Sequence, residues 1–149
     1  MLFLCPVMYK LTVMLLLNLP VVYAICWNPM VISFDQKLVR SGALLHDIAR
    51  LQRHHAKTGG ELFLQLGYPE ISQIISQHHG LLEATLDEAA IVFLADKLIQ
   101  ETQRVTIEKR FADSMSKCKS PEARKAHEQQ LEQARKLQDI IQSLCHITL

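Results

Sequence analysis

The chain has 149 residues and a net charge of +1, and 49% of its residues are hydrophobic. This length predicts one domain with a hydrophobic core of its own. The balanced charge argues against a basic nucleic-acid-binding surface and against an acidic tail. The four cysteines, Cys5, Cys26, Cys118 and Cys145, have no C-x-x-C spacing, which indicates reduced thiols in a cytoplasmic protein rather than a disulfide framework.

The beginning of the chain differs from the rest because it is almost free of charge. Before Asp35, Lys10 is the only charged side chain. The apolar run from Leu11 to Ala24 is short for a bilayer, and Pro20 would kink a helix there. A lysine, an apolar run and a small residue are typical of a secretory signal. The alternative is a buried first helix of a helical domain.

These patterns divide the chain into three parts. Residues 1–34 form an apolar segment, residues 35–118 a helical core, and residues 119–149 a C-terminal helix. Any contact with a membrane is expected through residues 1–27. The remainder is typical of a cytoplasmic enzyme, with export or membrane anchoring as the alternative.

The first core helix is predicted from Gln36 to Leu51, with Asp35 as its N-cap. Its middle carries the adjacent pair His46 and Asp47. Burial of an imidazole or a carboxylate without a partner costs roughly several kcal/mol. The pair therefore predicts a compensating partner, and a metal ion is the simplest one.

The next helix follows the neighbouring histidines His54 and His55 and stops at Gly67. In this helix His55 shares one face with Gly59 and Leu62, whereas His54 points elsewhere. The helical spacing therefore selects His55 as the inward-facing histidine.

A third helix is predicted from Pro69 to Gly80, with proline in its first turn. His78 continues the apolar face of Ile71 and Ile75. His79 lies about 100° away around the helix axis. This projection favours His78 over His79 as the buried residue.

A central helix is predicted from Asp87 to Gln100, with Thr85 and Glu88 at the spacing of a capping box. It is apolar on nearly all sides, so it should lie at the centre of the domain. Asp96 lies within it, and a buried carboxylate is rare unless it is paired or binds a metal.

Two helices complete the chain. Thr106 is the predicted N-cap of a helix that ends near Lys117, and a long polar helix begins after Ser120. Its narrow apolar stripe predicts packing on the outside of the domain or pairing in a homodimer. His127 and His146 on this helix are predicted to be surface residues without function.

The inward-facing imidazoles and carboxylates together form a ligand set that divalent metals take. The motifs are Ala43-Leu-Leu-His46-Asp47-Ile-Ala-Arg50, His55-x-x-x-Gly59, His78-His79 and Ala95-Asp96-Lys97. Between Leu38 and Phe111, their order resembles that of the HD-domain metal-dependent phosphohydrolases. The subgroup that it resembles uses extra histidines for a second metal, as the HD-type dinucleoside tetraphosphate hydrolases do.

The resemblance implies an all-α HD-domain helical bundle with one or two divalent ions, Mn, Fe, Mg, Ni or Zn. The implied metal ligands are His46, Asp47, His55, His78 or His79, and Asp96. Asp47 would bridge the two ions. Two ions about 4 Å apart could share a hydroxide and stabilise both oxygens of phosphoester cleavage.

The resemblance also implies the substrate class. The substrate would be a phosphorylated small molecule or a nucleotide. A metal-bound hydroxide would hydrolyse its phosphate ester or anhydride bond. Asp47 would act at the metals, and Arg50 and Lys97 would neutralise charge on the phosphate. For the two cations, a solvated or helix-pairing role is the alternative.

The sequence departs from the family pattern at one position. The pattern begins with a further histidine before the His-Asp pair, but no histidine precedes His46, and residues 1–34 contain no Asp or Glu. Three interpretations follow: an incomplete site after a divergent start, a working site with water at the vacant position, or a module without catalysis. Such a module would bind a nucleotide or a protein partner.

Overall fold

The computed structural model describes residues 34–145. The predictions for the apolar segment from Lys10 to Ala24 and for His146 lie outside these residues. The described elements are α1 (Gln36–Leu45), α2 (His55–Gln65), α3 (Pro69–Gln77), α4 (Glu88–Lys97), β1 (Ile99–Gln100), β2 (Gln103–Arg104), α5 (Ile107–Met115) and α6 (Pro121–Cys145). The prediction of a helical fold is confirmed.

Helix α4 is the centre of the domain. All its residues from Ala89 to Ala95 are buried, as its uniformly apolar sequence predicted. Helices α1, α3 and α6 contact α4, while α2 packs mainly against α3 and α5 against α6. This arrangement is a helical bundle, and it brings the ends of α1, α3 and α4 to one region.

Two of the predicted N-caps are confirmed. The Asp35 carboxylate accepts hydrogen bonds from the amides of Lys37 and Leu38 at 2.8 and 3.0 Å. The Thr106 hydroxyl accepts one from the Lys109 amide at 3.2 Å. Both side chains satisfy amides that a helix leaves without a partner in its first turn.

The predicted capping box of Thr85 and Glu88 is wrong. Asp87 is the N-cap, and its carboxylate accepts from the Ala90 amide at 2.7 Å. Glu88 instead accepts from the Asp35 amide at 2.9 Å. Its carboxylate therefore links α4 to the start of α1 rather than closing its own helix.

Helix α4 also ends earlier than predicted, at Lys97 instead of Gln100. The residues that follow form a short antiparallel hairpin, in which Ile99 pairs with Arg104. Glu101 in its turn has a φ of 56°, a left-handed conformation that a continuing helix could not accommodate. The helical period alone did not predict this turn.

Glycines let α1 and α2 approach α3 closely. A Cβ at Gly42 would lie 2.6 Å from Cγ2 of Ile74, and one at Gly59 would lie 2.9 Å from Cγ2 of Ile75. A larger residue at either position would push the helices apart. The close packing brings the histidine-bearing ends of these helices together.

The apolar stripe of α6 packs against its own domain. Ala134, Leu137 and Ile141 are fully buried there, whereas Leu144 is 37% exposed. The outside packing predicted for this helix is what the fold shows. The homodimer stays a prediction. Within residues 34–145, no helix is both long and apolar enough to cross a membrane.

The prediction that His127 is a surface residue is wrong. Its side chain is buried, its Nε2 lies 2.8 Å from the Ser114 hydroxyl, and its ring packs edge-on against Phe111 at 4.9 Å between centroids. The histidine thus joins α6 to α5. Its polar neighbours in the sequence obscured the fact that it faces the domain.

Candidate metal centre

The first histidine of the site ends its helix instead of lying within it. Helix α1 stops at Leu45, and His46 is the C-cap. The His46 Nδ1 donates a hydrogen bond to the Ala43 carbonyl at 2.9 Å, so it competes for an acceptor that the Asp47 amide would use in a longer helix. The helix predicted to reach Leu51 therefore ends six residues early, and a series of turns follows.

Helix α3 ends in the same way. His78 is its C-cap, and the His78 Nδ1 donates to the Ile75 carbonyl at 2.6 Å. A carbonyl can only accept, so Nδ1 carries the hydrogen in His46 and in His78. In the neutral ring, Nε2 then presents a lone pair. Metal-binding histidines commonly have this arrangement, with the second nitrogen bonded to the backbone.

Three imidazoles converge on one point, and we call His55, His78 and His79 the imidazole side of the site. One nitrogen of each lies within 4.8 Å of the others. The His55 Nε2 lies 2.7 Å from Nε2 of His79 and 3.3 Å from Nε2 of His78. Oδ1 of Asp47 lies 3.3 Å from the same His55 nitrogen and 3.7 Å from that of His78.

The helical projection is confirmed for burial, because His78 is buried and His79 is exposed, but it did not show that His79 also reaches His55. It assumed a helix to Gly80, but α3 ends at Gln77, and His79 lies in the turn that follows. Outside a helix the 100° rotation per residue does not apply, so both rings reach His55. His54, which the spacing set aside, is exposed at the start of α2.

The opposite side of Asp47 has a different composition, and we call His46, Asp96 and Lys97 the carboxylate side. The His46 Nε2 lies 3.7 Å from Oδ1 of Asp96 and 3.8 Å from Oδ2 of Asp47. The Lys97 ammonium donates to Oδ2 of Asp96 at 2.8 Å and to the His78 carbonyl at 3.0 Å. Lys97 is only 6% exposed.

Comparison with known protein families matches residues 8–100 to the HD domain. The chain belongs to the HD domain family. The match begins within the apolar N-terminal segment and ends after β1, so α5 and α6 lie beyond it. The division of the chain at residues 35 and 119 stays a prediction.

One curated relative of this HD domain is an uncharacterized protein of Methanocaldococcus jannaschii. The two are 38% identical over 95 residues, which cover 50% of this chain and 56% of the relative. The chain therefore spans a little over half the length of that protein. No solved structure matches the chain.

The electrostatics around His78 and His79 favour neutral rings. Burial lowers the pKa of His78 from 6.5 to about 4. The pKa of His79 is lowered too. The main cause is burial of its ring among protein atoms, although the residue as a whole is exposed, and the nearby His78 and Lys97 add to it. Neutral imidazoles are the form that binds metal.

The carboxylate side is charged and internally balanced. Burial alone would lower the pKa of His46, but the hydrogen bond and charge of Asp96 and the charge of Asp47 outweigh burial and raise it. Burial would raise the pKa of Asp96, but Lys97 and His46 hold it well below its ordinary value. Asp96 therefore carries a negative charge that these two neighbours compensate.

The two predicted phosphate-binding cations differ in accessibility. The Arg50 side chain is 64% exposed and donates from Nη1 to Oδ2 of Asp47 at 2.7 Å. Lys97 is buried, with its ammonium 5.0 Å from the centre of the Phe93 ring. Its contacts favour a structural role between α3 and α4. The catalytic roles of Asp47, Arg50 and Lys97 stay predictions.

The donor set on the imidazole side fits a divalent metal. Nitrogens bound to one tetrahedral ion at 2.0–2.1 Å are about 3.3 Å apart. The His55 Nε2 has this spacing to both His78 Nε2 and Asp47 Oδ1. The 2.7 Å between His55 and His79 is instead the length of an N–H···N hydrogen bond. A metal would replace that shared proton.

Proposed function

We propose that this HD domain is a metal-dependent phosphohydrolase that acts on a phosphate ester or anhydride of a nucleotide. The observation that carries the proposal is the convergence of His55, His78 and His79 with Asp47. Their spacing, and the lone pair that the backbone contact of His78 directs inward, suit a divalent ion.

Each residue has a defined role in the proposal. His55, His78, His79 and Asp47 would hold one ion, and His46 and Asp96 would hold a second one next to Asp47. When bound, the divalent ions would supply an activated water and neutralise charge on the phosphate. Three nitrogen ligands favour Fe, Ni or Zn, whereas the carboxylates suit Mn or Mg.

Arg50 supports a phosphorylated substrate. A guanidinium has five N–H donors, and the exposed side chain directs one of them to Asp47. The other donors can bind phosphate oxygens next to the ligands, where a bidentate contact is strong. We propose a nucleotide rather than a nucleic acid as the substrate, and the cytoplasm as the location.

A second candidate function is a module that binds a nucleotide or protein partner without hydrolysis. Two observations favour it. Residues 1–45 contain no histidine that could supply the further ligand of the family pattern on the carboxylate side. In addition, Lys97 and His46 already compensate Asp96. A carboxylate balanced in this way gains less from binding an ion.

Metal analysis and hydrolysis assays on the full chain distinguish the two functions. Purified protein would be analysed for bound metal, then assayed with a generic phosphodiester and with dinucleotides in Mn²⁺. We expect stoichiometric metal and hydrolysis that Asp47→Asn reduces by at least about 100-fold. The matched control is Arg53→Ala, an exposed cation close to the site in sequence, which should leave the rate unchanged.

The outcomes separate the candidates. Metal binding without hydrolysis of any substrate would favour the non-catalytic module. If the protein binds no metal and Asp47→Asn changes only its stability, both the metal site and the hydrolase are rejected.

A further inference from the structure

The C-terminal helix lies beyond the family match, yet one of its side chains contacts the segment that follows the two histidines. The Oε1 of Gln133 accepts a hydrogen bond from the Leu81 amide at 3.1 Å, and its Nε2 donates to the Leu81 carbonyl at 2.8 Å. One side-chain amide thus pairs with both backbone groups of a single residue, as a neighbouring strand would.

These two hydrogen bonds satisfy groups that would otherwise lack a partner away from water. Leu81 is 7% exposed and belongs to the hydrophobic core. A buried backbone group without a hydrogen bond is costly, so the position of Leu81 depends on Gln133. The helix also runs close to the turn, since a Cβ at Gly80 would lie 3.6 Å from Cγ of Gln130.

Other contacts hold the same turn from different directions. Lys97 on α4 donates to the His78 carbonyl at 3.0 Å, and the Oε1 of Gln77 accepts from the Leu82 amide at 2.9 Å. Gln133 contributes the contacts from α6. The first part of the segment between α3 and α4, residues 78–82, is therefore held at both its ends.

The turn requires this support because His79, unlike His78, is not held by a helix. His79 lies beyond the end of α3, so its place depends on the backbone around it. Metal sites tolerate little displacement of a ligand, and the groups that orient ligands influence affinity strongly. A shift at Leu81 would reach His79 through only one intervening residue.

We propose that Gln133 is a positioning residue of the metal centre, which holds the His78–His79 turn in the geometry that binds the ion. This inference rests on the proposed metal site. It assigns a function to α6, the longest helix described, which the match to the HD domain does not include.

Titration of the full-length protein with Co²⁺ tests the inference, with visible absorption as the signal. We expect Gln133→Ala to weaken Co²⁺ binding by about tenfold, the lower end of the loss seen when groups that orient metal ligands are removed. The absorption spectrum should also change, because the ligand geometry is altered. Gln129→Ala is the matched control, since this exposed glutamine lies on the same helix.

A second variant keeps the volume of the side chain. Gln133→Glu retains the acceptor for the Leu81 amide but removes the donor to its carbonyl, so Co²⁺ binding should again be weaker than in the native protein. Circular dichroism would confirm that each variant is folded before titration. If Gln133→Ala does not fold, the Co²⁺ affinity of Gln133→Glu tests the positioning role.

The possible failures are distinguishable. If the native protein binds no Co²⁺, the proposed metal site is rejected. If the native protein binds Co²⁺ and both variants match its affinity and spectrum, Gln133 serves only the stability of the fold, and the positioning role is rejected.

Discussion

The imidazole side and the carboxylate side of this site both adjoin Asp47, but their buried polar groups are compensated in different ways. On the imidazole side, burial lowers the pKa of His78 and of His79, and the ring nitrogens of His55 and His78 face one another. On the carboxylate side, Asp96 keeps its charge because Lys97 and His46 compensate it. One side offers lone pairs to a cation, whereas on the other side the Lys97 ammonium already balances Asp96.

This difference predicts the order in which metals would bind. An ion on the imidazole side would meet the Nε2 lone pair of His78, whereas an ion on the carboxylate side would compete with the Lys97 ammonium, which lies 2.8 Å from Asp96. Charge balance by this buried lysine is therefore expected to weaken the proposed second site.

The largest effect on stability should come from removal of the buried Lys97 ammonium. Lys97→Met leaves Asp96 with His46 as its main compensation, and loss of one member of a buried ion pair typically costs about 3–5 kcal/mol of unfolding free energy. Urea denaturation of the metal-free protein measures this loss. Mn²⁺ should restore part of the stability, because a divalent ion replaces the missing charge.

Lys109→Met is the matched control for this variant. Lys109 forms an exposed ion pair with Asp113 at the same distance of 2.8 Å, so its removal should change stability little. Equal losses in the two variants would contradict the structural role of Lys97.

The second-largest effect is the loss of metal affinity on the imidazole side. His55→Ala removes the nitrogen on which His78, His79 and Asp47 converge, so metal affinity should fall by more than about 100-fold, the upper range for loss of a group that only orients a ligand. Calorimetric titration measures the affinity. His54→Ala, one residue earlier and exposed, should bind like the native protein. Similar affinities for all three proteins would exclude His55 as a ligand.

The smallest effect is the response of the metal-free protein to acid. Because the pKa of His78 is lower in the folded state, the folded protein resists protonation, and its unfolding free energy should fall as the pH drops from 6.5 towards 4. For His78 alone the loss between pH 7 and pH 5 is about 2 kcal/mol. His46 opposes this trend, because its raised pKa contributes stability that is present below pH 6.5.

Urea denaturation at pH 7, 6 and 5 measures the acid response. The variant His78→Asn lacks the titrating ring, so its stability should depend less on pH in this range. An identical pH dependence in the variant and the native protein would show that His78 is not the source of the acid sensitivity.

The apolar periodicity predicted the central helix well, because α4 is buried on every side and every apolar residue in it signals the core. It predicted the ends of helices poorly. Helix α1 stops at Leu45 because the His46 ring donates to a backbone carbonyl, and Glu88 serves another helix instead of its own. Such contacts leave no trace in the spacing of hydrophobic residues.

His127 shows a different error, because the helical spacing could have placed it. Its ring contacts Ser114 and Phe111 of α5. It lies seven residues before Ala134 and fourteen before Ile141, so it continues the buried stripe of α6, although it is polar.

The sequence by itself determined the class of the fold and proposed the residues of the site, because polar groups at apolar helical positions need partners wherever they are buried. Only the tertiary structure decided that His79 joins His55, that Lys97 balances Asp96, and that Gln133 contacts the histidine turn. These contacts connect residues on different helices or beyond a helix end. Their geometry depends on how the helices pack, which the periodicity of any one helix does not contain.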